Sequence, residues 1–321
     1  MSTIYQLGEK QSLKLALAGL RETEFALLGS GDDAALMKAN SNSYLVSTDT
    51  MIENHDFRLD FSQAFDLGWK AIASNYSDIA AMGGVPTAAV VAMSVPKDTE
   101  IQWLVEFVEG LQAAADSLAL GSGIVGGDLA TANQSFISVT AFGDLDGLQP
   151  VTRSGAKAGD GVFIAGTLGK AAAGLELLQF PDPQFARSYD EFVNIQLRPQ
   201  PPIELGRLAN QHHASAMMDI SDGLSSDAYR LAEASEVSID IDSSSLLGFQ
   251  AVLEQAALSI EADTLAWVLH GGEDHSLLVT FPQNAEIPKG FKKIGTCKPL
   301  SEPLLLDGNP ISPKGWDSVK G

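Results

Sequence analysis

Aspartate recurs along this chain in short settings rich in glycine or hydroxyl residues. The settings are Gly31-Asp32-Asp33-Ala34-Ala35, Ser47-Thr48-Asp49, Asp78 within Ser74–Gly84, Gly126-Gly127-Asp128, Asp219-Ile220-Ser221-Asp222-Gly223, and Gly271-Gly272-Glu273-Asp274. Carboxylates and hydroxyls are hard oxygen donors, the kind that Mg²⁺ prefers. Glycine lets backbone N–H groups come close to an anion. Phosphoryl transfer needs its anionic charge neutralised and the reacting group held in line. Two carboxylates about 4 Å apart repel by about 4 kcal/mol at an effective dielectric of about 20, so several that converge require cations. Each setting alone also reads as a turn or cap, Asp222 as an ordinary helix N-cap. Their number is what points to metal.

Other phosphate devices are missing from the sequence. No G-x-x-x-x-G-K-[ST] occurs. A literal G-x-G-x-x-G does occur at Gly121–Gly126, but it follows a predicted helix and enters a short apolar strand, the reverse of a dinucleotide fingerprint. Arg153, in Thr152-Arg153-Ser154-Gly155, is a basic residue at a glycine-containing turn and suits a phosphate contact. His212, His213, His270 and His275 lack Cys partners or an H-E-x-x-H pattern and read as structural. Trp316, in Pro313-Lys314-Gly315-Trp316, either packs on the core or stacks on a flat ligand. Cys297 is the one cysteine, which rules out an intrachain disulfide.

The 321 residues are 45% hydrophobic and 19% charged, enough for a sizeable core in two domains. The net charge of −21, from 20 Lys+Arg against 41 Asp+Glu, repels nucleic acid and anionic membrane. It also repels phosphate unless local cations reverse the sign. No apolar run reaches a membrane span of about 18 residues, and the N-terminus carries charges where a secretory signal needs an apolar run. A cytoplasmic protein is expected.

Strand-like and helical runs alternate, which predicts an α/β or α+β architecture. Helices are predicted over 9–20, 65–82, 101–118 and 168–179, and from Leu224 onward. Strands are predicted over 44–48, 87–95, 135–142, 161–165, 216–218, 237–241, 276–281 and 292–295. In this reading Asp49 stands at a strand end, Asp219 closes the 216–218 strand, and the proline-containing stretch 181–202 crosses the surface. A turn-rich segment after residue 142 places a domain boundary near 150, giving domains 1–150 and 151–321.

In order and spacing the motifs resemble those of the thiamine-monophosphate kinase family over nearly the whole chain. They are Gly-Asp-Asp-Ala-Ala, Ser-Thr-Asp, the helix from Gly68-Trp69-Lys70 to Asp78, Gly-Gly-Asp, Thr-Arg-Ser-Gly-Ala-Lys, Asp-Ile-Ser-Asp-Gly-Leu, Gly-Gly-Glu-Asp and Lys-Gly-Trp. Any one is weak; the ordered series is specific. The resemblance implies ATP-dependent phosphorylation of thiamine monophosphate to thiamine diphosphate, by direct in-line transfer with several Mg²⁺ ions. It places the chain in a wider ATP-binding superfamily with aminoimidazole ribonucleotide synthetase and selenophosphate synthetase. It implies an N-terminal domain whose mixed sheet forms a barrel across a homodimer, and a C-terminal α/β domain.

Carried over by position, Asp33, Ser47, Thr48, Asp49, Asp78, Asp128, Asp219 and Asp222 are expected to hold Mg²⁺, with Asp49 and Asp222 essential for catalysis. Gly127, Asp128, Arg153 and Ser221 are expected at ATP, and Asp56, Glu273 and Trp316 at the acceptor. This chain departs from the family pattern at three points. Asp56 stands where a His usually precedes the Phe, with His55 one residue earlier; Val108 replaces a Tyr; and His275 replaces the Tyr after Gly-Gly-Glu-Asp. The rival readings are a same-superfamily enzyme with another acceptor and a non-catalytic nucleotide-binding dimer. Selenophosphate synthesis wants a reactive Cys near an N-terminal glycine loop, and the lone Cys297 disfavours it.

Overall fold

Ser135–Phe142 alternates apolar and polar residues, the signature of a strand with one face in the core. The computed structural model, which describes residues 2–7, 9–28, 35–38, 43–181, 185–186 and 188–316, builds this stretch into a sheet. Along it Ile137, Val139 and Ala141 are buried, while Phe136 is exposed and Ser138 and Thr140 are partly so. The chain divides into two units, Met1–Ile79 with Val85–Gly147, and Ala80–Gly84 with Leu148–Gly321. Among the described residues no helix is long and apolar enough to cross a membrane.

The first unit opens with helices α1 (Ile4–Leu7) and α2 (Glu9–Ala16) and a small antiparallel pair, β1 (Ala26–Leu28) with β2 (Leu36–Met37). Strand β3 (Leu45–Ile52), helix α3 (Ala64–Ala81), strand β4 (Val85–Val95), helix α4 (Ile101–Leu118), strand β5 (Ile124–Thr131) and strand β6 (Phe136–Asp144) follow. The last turn of α3 belongs to the second unit. The four long strands make a mixed sheet in the order β3-β6-β4-β5. β6 pairs antiparallel with both neighbours, and β4 pairs parallel with β5. A parallel pair needs a long crossover, which α4 provides. Gly121–Gly126 therefore links a helix to a strand, as its flanks predict.

The second unit holds a seven-stranded sheet in the order β13-β12-β9-β11-β7-β10-β8. Its strands are β7 (Gly161–Ala165), β8 (Ala216–Ile220), β9 (Val237–Ile241), β10 (Ser276–Phe281), β11 (Phe291–Pro299), β12 (Leu304–Leu306) and β13 (Asn309–Pro310). Pairing is antiparallel except between β9 and β12, so this sheet too is mixed. The helices are α5 (Lys170–Gln179), α6 (Asp190–Leu197), α7 (Ile203–Gln211), α8 (Leu224–Ser235), α9 (Ser243–Ile260) and α10 (Thr264–His270). Strands β7, β8 and β10 are buried along their whole length. Their period-2 side chains serve two cores: Ile164, Met218 and Leu278 pack with α8, α9 and α10, while Phe163, Met217 and Val279 pack on the other face. Each fully buried Ile, Leu, Met or Val side chain among them contributes about 1.5–3 kcal/mol.

Two expectations are corrected here. The stretch 181–202 is not a surface crossing throughout, because α6 lies within it and buries Phe192 and Gln196. Its prolines stand outside the helix, at 181, 183, 199, 201 and 202, so they bound α6 rather than break it. Asp49 is not at a strand end, because Thr50, Met51 and Ile52 continue the ladder opposite Ser138, Ile137 and Phe136.

Candidate active site

In the second unit, Asp219 lies inside β8, paired with Leu277, rather than closing the strand; β8 continues through Ile220 and runs into α8 through the turn that carries Ser221 and Asp222. Gly223 is the N-cap of α8, with φ 119°, and has no side chain to cap with. Asp227 does that work from the first turn: its Oδ2 accepts the backbone N–H of Asp222 at 3.1 Å and of Gly223 at 3.2 Å. From N4, one position beyond where a capping box places its acid, the carboxylate accepts the N-cap N–H in the same backward sense. Arg230, one turn further along, donates from Nη1 to Asp227 Oδ1 at 2.8 Å and also to Asp222 Oδ2. Burial, and then the charges of Asp219 and Asp222, push the Asp227 carboxyl up to about 7, with Arg230 offsetting only part of the shift. A cation would offset this surplus of carboxylate charge, but among the described residues no three His, Cys, Asp or Glu are grouped closely enough to hold a metal by themselves.

Two further segments close on that turn. The backbone N–H of Glu273 donates to Ser221 O at 2.8 Å, and that of His275 to Ile220 O at 3.1 Å. His275 Nδ1 also lies 3.5 Å from Asp219 Oδ2. On the other side, the Trp316 N–H donates to Asp222 O at 3.1 Å. Ser225 Oγ accepts the Lys314 N–H at 3.1 Å and lies 2.7 Å from Lys314 O and 2.8 Å from His270 Nδ1. A Cβ on Gly272 would meet Ser221 O at 2.5 Å, and one on Gly315 would meet Asp222 O at 2.2 Å. Only glycine permits both approaches, so the Gly-Gly-Glu-Asp and Lys-Gly-Trp motifs are the two walls of one turn. Glu273 (φ 64°) and His275 (φ 48°) hold left-handed backbone without being glycine, at a cost of about 1–3 kcal/mol each. The Glu273 carboxylate accepts from Gln196 Nε2 at 2.5 Å. Asp274 Oδ1 accepts from Thr167 Oγ1 at 2.6 Å, and burial raises its carboxyl above the usual range. Trp316 keeps 40% of its surface exposed. The Arg153 loop is tied down by Ser235, whose Oγ donates to Arg153 O and accepts the N–H groups of Gly155 and Ala156, leaving the guanidinium on the surface.

In the first unit, Ser47 Oγ donates to Asp78 Oδ2 at 2.5 Å, joining β3 to the end of α3. The Asp49 N–H donates to Asn75 Oδ1 at 3.2 Å, and Asn75 Nδ2 donates to Ala71 O. The sheet register separates neighbours here. Asp49 stands in one row with Val139, Val91 and Gly127, whereas Asp128 stands in the next row with Ala92, Ser138 and Thr50. Ser47 and Asp49 thus share a face with the buried Val139 and Val91, and Thr48 and Asp128 share the other. Gly126-Gly127-Asp128 lies inside β5 rather than on a loop, and a Cβ on Gly127 would meet Val91 O at 2.2 Å. Tight strand pairing therefore requires this glycine.

Beside this strand lies a cavity of about 600 Å³. Leu104, Phe107, Val108 and Leu111 of α4 form an apolar wall, and Gly127 and Asp128 are part of its lining. Asp56 closes a local turn, accepting the Ile52 N–H on Oδ2 and facing His55 Nδ1 across 2.9 Å from Oδ1. Asp33 lies outside the described residues.

Sequence reasoning misses Asp227, Arg230 and Gln196. An Asp at the fourth position of α8 is the legible signal for the first; the other two carry no local signal.

Residues 31–145 match the family model for the N-terminal domain of AIR synthase related proteins. The thiamine-monophosphate kinase of Mycobacterium tuberculosis is 41% identical over 320 residues, covering 98% of this chain and 93% of the relative. That of Bacillus subtilis is 37% identical over 257 residues, 79% and 77% of the two chains. Among solved structures, AaThiL complexed with AMPPCP and TMP superposes with a TM-score of 0.79 at 32% identity, covering 98% of each chain. On these likenesses the chain belongs to the thiamine-monophosphate kinase family and is a kinase.

Proposed function

We propose that this enzyme transfers the γ-phosphoryl group of ATP directly to the phosphate of thiamine monophosphate. The observation that carries the nucleotide half is the cavity in the first unit. It offers an apolar slot of ligand size with a carboxylate in its lining, the combination that a base with a metal-bound phosphate tail requires. Support comes from the related structure, which is complexed with AMPPCP and TMP.

In this reading the adenine enters between α4 and β5, and Gly127 and Asp128 lie near the phosphates. On the resemblance, the hard oxygen donors for Mg²⁺ in the first unit are Ser47 and Asp49 on one face of the sheet, with Asp78 beside Ser47, and Thr48 and Asp128 on the other face; in the second unit they are Asp219 and Asp222. Asp33 joins them on the resemblance alone. Bound Mg²⁺ supplies charge neutralisation that a chain of net charge −21 otherwise lacks. Arg153 and Ser221 contact ATP, and Glu273, Trp316 and Asp56 contact the acceptor. The attacking atom is an ionised phosphate oxygen, so no strong general base is needed. Catalysis is positioning plus electrostatics.

The open face of the first sheet supports a dimer. Val46, Thr48, Thr50 and Ile52 pair across to Phe142, Thr140, Ser138 and Phe136, and Tyr44 and Val46 are 66% and 54% exposed. A second copy covering this face would close the sheet into a barrel.

The test is ADP release with ATP and Mg²⁺ on adding thiamine monophosphate, thiamine or pyridoxine. Release with thiamine monophosphate alone, abolished by EDTA, is expected. Turnover that survives EDTA, or that needs thiamine instead, overturns the proposal.

A further inference from the structure

Gln196 is an unusual residue to find where it is. It sits on α6, 5% exposed, in a stretch whose composition gives no hint of function. Its Nε2 donates to Glu273 Oε2 at 2.5 Å. Its Oε1 is buried and has no hydrogen-bond partner among the described residues. A buried acceptor left unpaired costs about 1–3 kcal/mol, so a methionine or leucine would serve packing better at this position. The amide orientation is fixed by chemistry: turned over, Oε1 would face a carboxylate oxygen, acceptor against acceptor.

The surroundings show how the contact is built. α5 begins with the small residues Ala171, Ala172, Ala173 and Gly174. A Cβ on Gly174 would meet Phe192 O at 2.2 Å and Gln196 Cβ at 2.9 Å, so this glycine brings α6 against α5. Glu273, on the other side of the contact, has left-handed backbone and is tied through its N–H to Ser221 O. Its main chain is thus fixed by the metal-binding turn and its side chain by Gln196.

We propose that Gln196 is a positioning residue for the acceptor site. Its amide engages one carboxylate oxygen of Glu273 and so aims the carboxylate at the cationic, amine-bearing part of the acceptor. This rests on the reading that Glu273 contacts the acceptor. The unpaired Oε1 is the stability cost of that alignment.

Gln196→Met keeps the length and removes both polar atoms. The full-length protein is assayed by ADP release, alongside Glu273→Gln and the double variant, with thermal midpoints for all. In Gln196→Met we expect the KM for thiamine monophosphate to rise about tenfold, the loss typical of one hydrogen bond to a charged group. The KM for ATP stays within about twofold and the thermal midpoint holds or rises. In the Glu273→Gln background the same change adds less than about twofold, because the group it positions is gone. A lower midpoint with an unchanged KM marks a structural residue and overturns the proposal. Effects that multiply in the double variant also overturn it. If Glu273→Gln itself leaves the KM for thiamine monophosphate unchanged, the acceptor role of Glu273 fails first, which separates that failure from this one.

Discussion

The carboxylate of Asp227 accepts the backbone N–H of Asp222 at 3.1 Å, so one acidic residue holds another in place. Asp222 can then present its own carboxylate without having to cap its helix. Asp222→Asn and Asp49→Asn should each remove most turnover, at least about 100-fold, with the far-ultraviolet circular dichroism unchanged. Full ADP release from both variants would remove the metal assignment.

Arg230 supplies the only cation hydrogen-bonded to the pair Asp222 and Asp227 among the described contacts. Arg230→Met leaves these carboxylates facing each other. The metal-free protein should lose about 1–2 kcal/mol, a figure discounted because the guanidinium is partly exposed. Mg²⁺ should restore most of it, since a divalent ion screens the same charges. Urea denaturation in EDTA and in Mg²⁺ measures the difference. An equal loss in both conditions would contradict the cation role of Arg230.

The two walls of the turn make a steric prediction. Gly315→Ala puts a Cβ about where Asp222 O already sits, and Gly272→Ala does the same to Ser221 O. Neither partner is a flexible side-chain tip; both are backbone. Each variant should lose about 1–3 kcal/mol by overpacking and more than tenfold in kcat, if the displaced atoms belong to the proposed catalytic turn. A wild-type kcat in both would show that the turn tolerates movement.

The turn between β8 and α8 is legible in sequence because its parts are local: a buried run, two acids around a serine, a glycine, then a helical pattern. The mixed α/β class follows equally from alternating periods. Less survives where the cause lies across the fold. Asp49 looks like a strand end because Thr48 and Thr50 are polar, yet polarity on alternate positions marks only the open face of β3. Gly126 and Gly127 look like a phosphate loop, whereas Gly127 is required by the Val91 carbonyl of the neighbouring strand. The prolines around α6 mask an eight-residue helix that contains none, and with it Gln196. Arg230 reads as one more charge on an amphipathic helix until the turn above it is seen.

Cys297 offers a pH test apart from the catalytic groups. It is buried on β11, with its N–H donating to Asp160 O at 2.8 Å, and burial, then the Asp160 charge, push its thiol up to about 12. An unfolded thiol gives up its proton near its ordinary value of 9.0. Between those values the folded chain holds the proton and the unfolded chain does not, so stability should fall as pH rises through that window. Cys297→Ala should lose this part of the alkaline slope. Native protein at pH 8 should also resist alkylation and react at once in denaturant, because only the thiolate attacks. Rapid modification of the native chain would refute the shift.

Val108 allows the nucleotide cavity to be tested without touching a carboxylate. Its side chain is buried on α4 and lines the apolar wall of the space beside Gly127 and Asp128. Val108→Trp fills part of that space with a ring about the size of the adenine it would exclude. If the base binds there, the KM for ATP should rise about tenfold or more, while the KM for thiamine monophosphate and the fold stay close to wild type. Val108→Ala enlarges the cavity and should cost about 1–2 kcal/mol of stability with a smaller rise in the same KM. The two variants share a position but change its volume in opposite directions. A KM for ATP that moves with neither would show that the adenine lies elsewhere, whatever becomes of the carboxylates proposed to bind metal.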